Sequence, residues 1–195
     1  MNAVAPGKLI LLSGPSGVGK STVVREVLAR YGGELRLSIS ATTRSPRPGE
    51  RDGVDYHFLS PAEFARKREA GEFLECIEVF GQGHWYGTLR SEVGPSLAAG
   101  KWVVLEIDVE GALQVGREFP EAISLFIRPG TLEELERRLR GRGTEDEQSV
   151  ARRLAVAQNE LQSAKLYEYE VTNDTVPQAV DRICQILKDR GLCHD

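Results

Sequence analysis

The chain has 195 residues, of which 41% are hydrophobic and 28% are charged, and its formal net charge at pH 7 is −4. This size and balance predict one α/β domain with room for inserted sub-domains. The net negative charge argues against nucleic-acid binding, which favours a basic surface, and no apolar run is long enough to span a bilayer. Three cysteines without disulfide or zinc spacing indicate a reducing compartment, so we expect a cytoplasmic protein.

The first predicted strand and helix flank a glycine-rich loop. An apolar run at 9–13 has the length of a strand, and apolar residues recur at helical spacing from Val23 to Tyr31. The sequence between them fits G-x-x-x-x-G-K-[ST], the pattern of a phosphate-binding P-loop. Lys20 should reach the β- and γ-phosphates of a nucleotide, and the Ser21 hydroxyl should bind Mg²⁺. The motif predicts ATP or GTP binding by Gly14, Pro15, Ser16, Gly17, Val18, Gly19, Lys20 and Ser21.

The region after the first helix predicts a small insert. A loop at 41–51 contains prolines, a glycine and the three arginines Arg44, Arg47 and Arg51. The predicted elements around it are strands at 35–40, 54–59, 73–80 and 85–88 and a helix at 60–71 that starts in a capping box. Residues 39–90 are therefore expected to form a small, mostly antiparallel sub-domain.

The second half of the chain predicts buried strands that alternate with helices. The strands are at 102–108, 123–127 and 169–172, and the helices are at 112–119, after 131, after 144 and after 175. Continuous apolar strands are typical of a parallel sheet covered on both faces. Glu106 and Asp108 end one strand, where carboxylates beside a P-loop can organise Mg²⁺. We interpret the arginine-rich helices around Gly141-Arg142-Gly143 as a lid that brings arginine to a phosphate.

These features are typical of a nucleoside monophosphate kinase, and the chain closely resembles the guanylate kinase family. The most specific match is T-T-R-x-P-R-x-G-E at Thr42–Glu50, and the other matching stretches are 13–22, 53–58, 72–75, 86–88, 105–111 and 141–145. The resemblance implies a three-layer P-loop core with a parallel sheet, a GMP-binding insert and a helical lid. It implies one domain, with the core at 1–38, 91–129 and 160–195, the insert at 39–90 and the lid at 130–159.

The resemblance also implies an activity, namely Mg-dependent transfer of the γ-phosphoryl group from ATP to GMP in purine nucleotide metabolism. The implied ATP contacts are the P-loop, Thr22 and Asn173. The implied GMP contacts are Arg44, Arg47, Tyr56 and Tyr86 around the phosphate and Ser40, Glu75 and Thr88 around the guanine. Asp108 is implied to lie between the nucleotides and the metal, and it would bind the metal directly or through water. The implied catalytic cations are Lys20, Arg44, Arg138, Arg142 and Arg153.

The chemistry of guanine agrees with these roles. Guanine presents its N1–H and N2–H₂ donors side by side, and a carboxylate such as Glu75 accepts both, whereas adenine offers an acceptor at N1. Planar arginines suit a phosphate because they bind it with two parallel hydrogen bonds. Use of dGMP stays open. Two alternatives also remain open, a guanylate-kinase-like module that holds phosphopeptides and a P-loop kinase for another small phosphorylated acceptor.

The sequence departs from the family pattern at one place. It reads Gly-Gln-Gly-His-Trp at 81–85, where the family commonly has a shorter turn that ends in Asn-Tyr-Tyr-Gly. We therefore expect a hairpin that is two residues longer beside Tyr86 and Thr88.

Overall fold

A computed structural model describes residues 7–79, 83–140 and 147–192 of the chain, and these residues form two β-sheets and seven α-helices. In chain order the elements are β1 (Leu9–Ser13), α1 (Lys20–Tyr31), β2 (Leu35–Leu37), β3 (Ala41–Thr42), β4 (His57–Phe58), α2 (Pro61–Glu69), β5 (Phe73–Val79), β6 (His84–Leu89), α3 (Arg90–Ala98), β7 (Trp102–Glu106), α4 (Val109–Glu118), β8 (Ile123–Pro129), α5 (Leu132–Arg140), α6 (Glu147–Gln162), β9 (Tyr169–Asn173) and α7 (Val176–Asp189). Among the described helices, none is long and apolar enough to cross a membrane.

The larger sheet has five parallel strands in the order β2-β7-β1-β8-β9. Successive residues of β1 point to opposite faces, so Ile10 and Leu12 pack in a cluster with α1 and α7, while Leu9 and Leu11 pack in a second cluster with α3 and α4. Helices therefore cover both faces, which explains why the strand is apolar without alternation. The predicted three-layer core with a parallel sheet is confirmed.

The smaller sheet has the order β4-β3-β6-β5 and is antiparallel except for the β3–β4 pair. The mostly antiparallel insert is thus confirmed, but two predicted strands have different bounds. The strand predicted at 35–40 stops at Leu37, and the chain then enters the smaller sheet at Ala41, inside the predicted loop. The strand predicted at 54–59 is shortened because the N–H groups of Val54 and Asp55 donate to the carbonyl of Arg51 in a turn.

Two helix starts differ from the sequence predictions, and a third helix begins where predicted but lacks the expected cap. Helix α3 was not predicted, because Gly94 and Pro95 inside it are weak helix formers. Helix α4 begins earlier than residue 112, because the Asp108 carboxylate caps it by accepting the N–H of Gly111 at 2.8 Å. Ahead of α7, the Thr175 hydroxyl donates to the Gln178 side chain and makes no backbone cap.

The helices assigned to the lid share the main apolar core. Leu135 and Leu139 of α5 and Val150 and Ala157 of α6 belong to the same buried cluster as α1 and α7. The predicted Gly-Arg-Gly segment at 141–143, which includes Arg142, and the predicted helix start at 144–146 lie outside the described residues.

Candidate active site

The P-loop connects β1 to α1 in a conformation that depends on glycine, as Gly14 and Gly19 show. Gly14 has φ 146°, and a Cβ built on it would lie 2.1 Å from the carbonyl oxygen of Ile127. Gly19 is the left-handed N-cap of α1, with φ 96°, and a Cβ there would lie 2.9 Å from the amide nitrogen of Asn173. The strand, loop and helix therefore form the anion-binding arrangement that the motif predicts.

Lys20 folds back over this loop. Its ammonium group donates to the carbonyl oxygens of Gly14 at 2.6 Å and Pro15 at 3.1 Å. Val18, which is fully buried, anchors the other side of the loop in the main core. The positive charge of Lys20 therefore lies where the loop N–H groups and the helix N-terminus also favour an anion.

Side-chain oxygens that could bind a metal ion lie near the carboxyl ends of β1 and β7. The Ser21 hydroxyl donates to a carboxylate oxygen of Glu106 at 2.6 Å. Asp108 is partly buried, and this burial raises the pKa of its carboxyl group. The Ser13 hydroxyl donates to the carbonyls of Ile107 and Asp108 and fixes the end of the strand. A hydroxyl and two carboxylates suit a hard cation such as Mg²⁺.

Arg44 is the centre of a second cluster, in the insert. Its Nε donates to the Tyr86 hydroxyl at 3.1 Å, and its guanidinium carbon lies 5.3 Å from the ring centre of Tyr56. The two tyrosine rings meet edge to face at 5.9 Å. Burial raises the pKa of Tyr56, so its hydroxyl is available as a donor to an anion at neutral pH.

Glu50 also belongs to the site, although the sequence did not predict a role for it. Its two carboxylate oxygens accept from the two terminal nitrogens of Arg44 at 2.9 and 3.0 Å, and one of them also accepts the N–H of Arg47 at 2.7 Å. These hydrogen bonds, from Arg44 above all, lower the pKa of Glu50. The Arg47 side chain is exposed. The signal was present as the last residue of T-T-R-x-P-R-x-G-E, six positions after Arg44.

Glu75 and Thr88 form a buried polar pair across β5 and β6. The strand register places them opposite each other, only 3% and 1% exposed, and the Thr88 hydroxyl donates to Glu75 at 2.7 Å. Burial, with a smaller effect of the Asp108 charge, raises the pKa of Glu75 to about 7. Its second oxygen faces the start of α4, where a Cβ on Gly111 would approach it to 3.0 Å. Ser40 is partly buried between β2 and β3, and its carbonyl accepts the N–H of His57.

The predicted lid cations lie against the P-loop. Arg138 donates to the carbonyl of Val18 at 3.0 Å and to that of Asn173 at 3.1 Å, and it pairs with Glu134. Arg153 donates to the Ser16 hydroxyl at 2.7 Å. The Asn173 side chain, 1% exposed, donates to the same Val18 carbonyl at 2.7 Å and has a buried amide oxygen without a partner among the described residues. Thr22 is exposed on the first turn of α1, and Arg142 lies outside the described residues.

The sequence model of the guanylate kinase family matches residues 6–190. The chain belongs to the guanylate kinase family. It is 53% identical over 186 residues to the guanylate kinase of Rhodopirellula baltica, covering 95% of this chain and 89% of that one. It is 49% identical over 177 residues to the guanylate kinase of Trichormus variabilis, covering 91% of this chain and 87% of that one.

A solved structure agrees with the guanylate kinase assignment. The crystal structure of guanylate kinase from Anaplasma phagocytophilum superimposes with a TM-score of 0.78 at 33% sequence identity, covering 95% of this chain and 87% of that one. As a member of the guanylate kinase family the chain is an enzyme, a kinase, and the family uses ATP as a substrate. The P-loop, the Arg44 cluster and the Glu75–Thr88 pair are therefore the parts of the molecule from which its chemistry must be derived.

Proposed function

We propose that this chain transfers the γ-phosphoryl group of ATP to GMP, giving ADP and GDP. The observation that supports this most strongly is the Glu75–Thr88 pair. A buried carboxylate in its ionised form is costly without partners, and the N1–H and N2–H₂ donors of guanine provide two. The Thr88 hydroxyl fixes the carboxylate, and the Ser40 hydroxyl is the proposed donor to O6.

The acceptor phosphate is proposed to bind at the Arg44 cluster. Arg44, Arg47, Tyr56 and Tyr86 supply guanidinium and hydroxyl donors, which match the geometry of a phosphate. Because the attacking oxygen belongs to a phosphate that is already ionised, the reaction needs no general base. Catalysis then consists of positioning and of neutralising charge by Lys20 and the arginines.

The donor nucleotide is proposed to bind the P-loop through residues 14–22, with its adenine beside Asn173. Lys20, Arg138 and Arg153 already contact the loop or its flanks, and we propose that they take the charge of the transferring phosphoryl group together with Arg142. The proposed division of the domain is a core at 1–38, 91–129 and 160–195, an insert at 39–90 and a lid at 130–159. We also propose a cytoplasmic location, because the three cysteines have no disulfide or zinc spacing.

The proposed metal is Mg²⁺, and the residues present fit it. Ser21 and Asp108 are the proposed protein ligands, with Glu106 holding the Ser21 hydroxyl at 2.6 Å. The described part of the chain contains no group of three or more histidine, cysteine or acidic side chains that could hold a metal. This agrees with Mg²⁺, which commonly uses one or two protein oxygens together with substrate phosphates. When bound, the ion would neutralise charge on the phosphates.

Release of ADP from MgATP in the presence of single nucleotides tests the proposal. GMP, dGMP, AMP, CMP, UMP and IMP are assayed separately. We expect GMP to exceed AMP by a factor of roughly 10⁴ in kcat/KM, because AMP leaves Glu75 facing a lone pair. IMP, which lacks the N2–H₂ group, should be intermediate. Absence of turnover with GMP would favour the binding module, and preference for another acceptor would favour a different kinase.

A prediction about Glu50 follows from its two hydrogen bonds to Arg44. Glu50→Gln removes one acceptor and the charge, so the guanidinium loses its fixed plane. We expect KM for GMP to rise about tenfold, the value of one charge-assisted hydrogen bond, with little change in KM for ATP. Steady-state kinetics check this, with Glu69→Gln on the exposed face of α2 as the matched control. A lower KM for GMP would show instead that Glu50 competes with the phosphate for Arg44.

A further inference from the structure

The edge strand β4 takes part in the Arg44 cluster on one of its two faces. Tyr56, which directly precedes the strand, and Phe58 both lie near Arg44, whose guanidinium carbon is 5.3 Å from the first ring centre and 5.8 Å from the second. His57 stands between them in the chain. Because successive side chains of a strand point to opposite faces, His57 points away from the Arg44 cluster.

On that opposite face, His57 meets a helix of the core sheet. Its Nε2 atom lies 3.0 Å from a carboxylate oxygen of Glu92, in the first turn of α3, and the two side chains are 27% and 26% exposed. A carboxylate can only accept, so Nε2 of His57 supplies the hydrogen. Glu92 belongs to the proposed core and His57 to the proposed insert, so this hydrogen bond crosses the boundary between them.

Strand β4 has a small attachment of its own. It consists of two half-buried residues at the edge of the smaller sheet. Its pairing with the β3 segment uses the N–H of His57, which donates to the carbonyl of Ser40, and the N–H of Leu59, which donates to that of Thr42, both at 2.9 Å. These bonds fix β4 within the insert, whereas the bond to Glu92 fixes it relative to the core.

The place of Glu92 in its helix offers a simpler explanation, which is only partial. An acid in the first turn stabilises a helix through the helix dipole, and the N-cap residue of α3, Leu89, makes no side-chain cap. That effect needs a negative charge but no partner. Partly exposed ion pairs also contribute little to stability. The bond to His57 is therefore better explained by the placement of β4 than by the stability of α3.

We propose that Glu92 is a positioning residue for the acceptor site, which acts through His57 to hold β4 in place relative to the core. Tyr56 precedes His57 in the chain, and the Ser40 carbonyl accepts the N–H of His57, so a shift of β4 displaces both. These two residues are proposed contacts of the GMP phosphate and of the guanine. The P-loop belongs to β1 and α1, so ATP binding should not depend on this bond.

Two substitutions separate the hydrogen bond from the charge. Glu92→Ala removes both, whereas Glu92→Gln removes the charge and keeps an oxygen that can accept from His57. Calorimetric titrations with GMP alone and with MgATP alone give the two affinities, and steady-state kinetics give the two KM values. We expect Glu92→Ala to weaken GMP about fivefold, the value of one hydrogen bond, with ATP changed less than about twofold. Glu92→Gln should bind GMP within about twofold of the wild type.

A double-mutant cycle tests whether Glu92 acts through its partner. His57→Ala should weaken GMP as much as Glu92→Ala does, and the double variant should be no weaker than either single variant. Additive effects of the two substitutions would contradict the proposal. The control is Glu121→Ala, an exposed acid on the turn before β8, which should leave both affinities unchanged.

Hydrogen exchange of the free protein tests the placement of β4 without any nucleotide. The amides of His57 and Leu59 should exchange severalfold faster in Glu92→Ala than in the wild type or in Glu121→Ala, because the strand opens more often once its bond to α3 is lost. The inference rests on the proposed function for its GMP measurements but not for this one. If the wild type does not bind GMP, the proposed function fails, and the exchange rates alone decide whether Glu92 holds β4.

Thermal unfolding shows which variants are folded at the assay temperature. Wild-type GMP affinity in a folded Glu92→Ala variant would overturn the proposal. Equal weakening of GMP by Glu92→Ala and Glu92→Gln would also overturn it and would assign the effect to the charge at the start of α3. If Glu92→Ala does not fold, His57→Ala, which leaves α3 intact, decides by the same comparison of GMP with ATP.

Discussion

Lys20→Ala should lower kcat for phosphoryl transfer by a factor of about 10²–10³ and leave GMP binding largely intact. The ammonium group is held over the loop by the carbonyls of Gly14 and Pro15. Loss of one preorganised positive charge at a site of developing negative charge costs a factor of about 10²–10³ in kcat. The GMP contacts at Arg44 and Glu75 lie in the insert and do not depend on Lys20.

The experiment combines single-turnover kinetics with calorimetric titration of GMP. Lys101→Ala is the matched control, because Lys101 pairs with Glu34 on the surface and should behave as the wild type. The unfolding midpoint of the Lys20 variant shows whether loss of its two loop hydrogen bonds weakens the fold. Normal turnover by a folded Lys20→Ala variant would be incompatible with the proposed role of the loop.

Glu75→Gln is expected to have the second-largest effect, a rise of about 10- to 100-fold in KM for GMP with KM for ATP unchanged. Hydrogen bonds to a charged acceptor contribute about 1.5–3 kcal/mol, and the amide replaces one acceptor by a donor that faces the donors of guanine. Initial rates at varied GMP and fixed ATP measure the effect. Glu78→Gln on the same strand, whose side chain is exposed, is the control. Unchanged kinetics with GMP would remove Glu75 from the guanine site.

The pH dependence gives an independent test of the same residue. Burial raises the pKa of Glu75 to about 7, so the free enzyme gains a proton there as the pH falls below 7. The protonated acid no longer accepts both guanine donors, and KM for GMP should therefore rise as the pH is lowered from 8 to 6. The phosphate of GMP also titrates near pH 6. In Glu75→Gln, the pH dependence of KM that this phosphate causes should remain, whereas the part caused by Glu75 should disappear.

The stability of the fold should depend on pH in the opposite direction from GMP binding, so that it increases as the pH is lowered. Because the folded-state pKa of Glu75 lies above its ordinary value of 4.5, folding favours the protonated form. The stability that this preference contributes is lost as the pH rises from about 4.5 through 7. Glu75→Gln should therefore stabilise the fold at pH 8 by up to roughly 3 kcal/mol, the linkage value of such a shift. It should change little at pH 4. Chemical unfolding at the two pH values measures the difference, and equal effects would contradict the shifted pKa.

Much of the fold could be predicted from the sequence because local patterns determine it. The glycine and lysine spacing predicted the P-loop, and continuous apolar strands predicted a parallel sheet with two covered faces. The boundary between the sheets could not be predicted, because alternation at 35–40 does not show that β2 and β3 pair with different partners. Helix α3 escaped prediction because packing of Val93 in the core outweighs the low propensities of Gly94 and Pro95.

The candidate site, too, could be predicted only in part from the sequence. Glu75 was identified by resemblance and by the chemistry of guanine, but its burial depends on the register that sets it opposite Thr88. Glu50 was visible in the motif, yet only the fold brings its carboxylate against the guanidinium of Arg44. The contact of Arg153 with Ser16 joins residues 137 positions apart, and no local pattern predicts it.

The packing of α5 has a mechanical consequence. Leu135 and Leu139 are fully buried, and a Cβ on Gly17 would lie 2.6 Å from a methyl carbon of Leu139. Helix α5 and the P-loop are thus in direct contact, and Arg138 is bonded to the Val18 carbonyl, so we expect them to move as one part. We therefore expect the position of Arg138 relative to the loop to be set when the protein folds. Closure of the active site is then expected to move mainly the acceptor half toward Arg138.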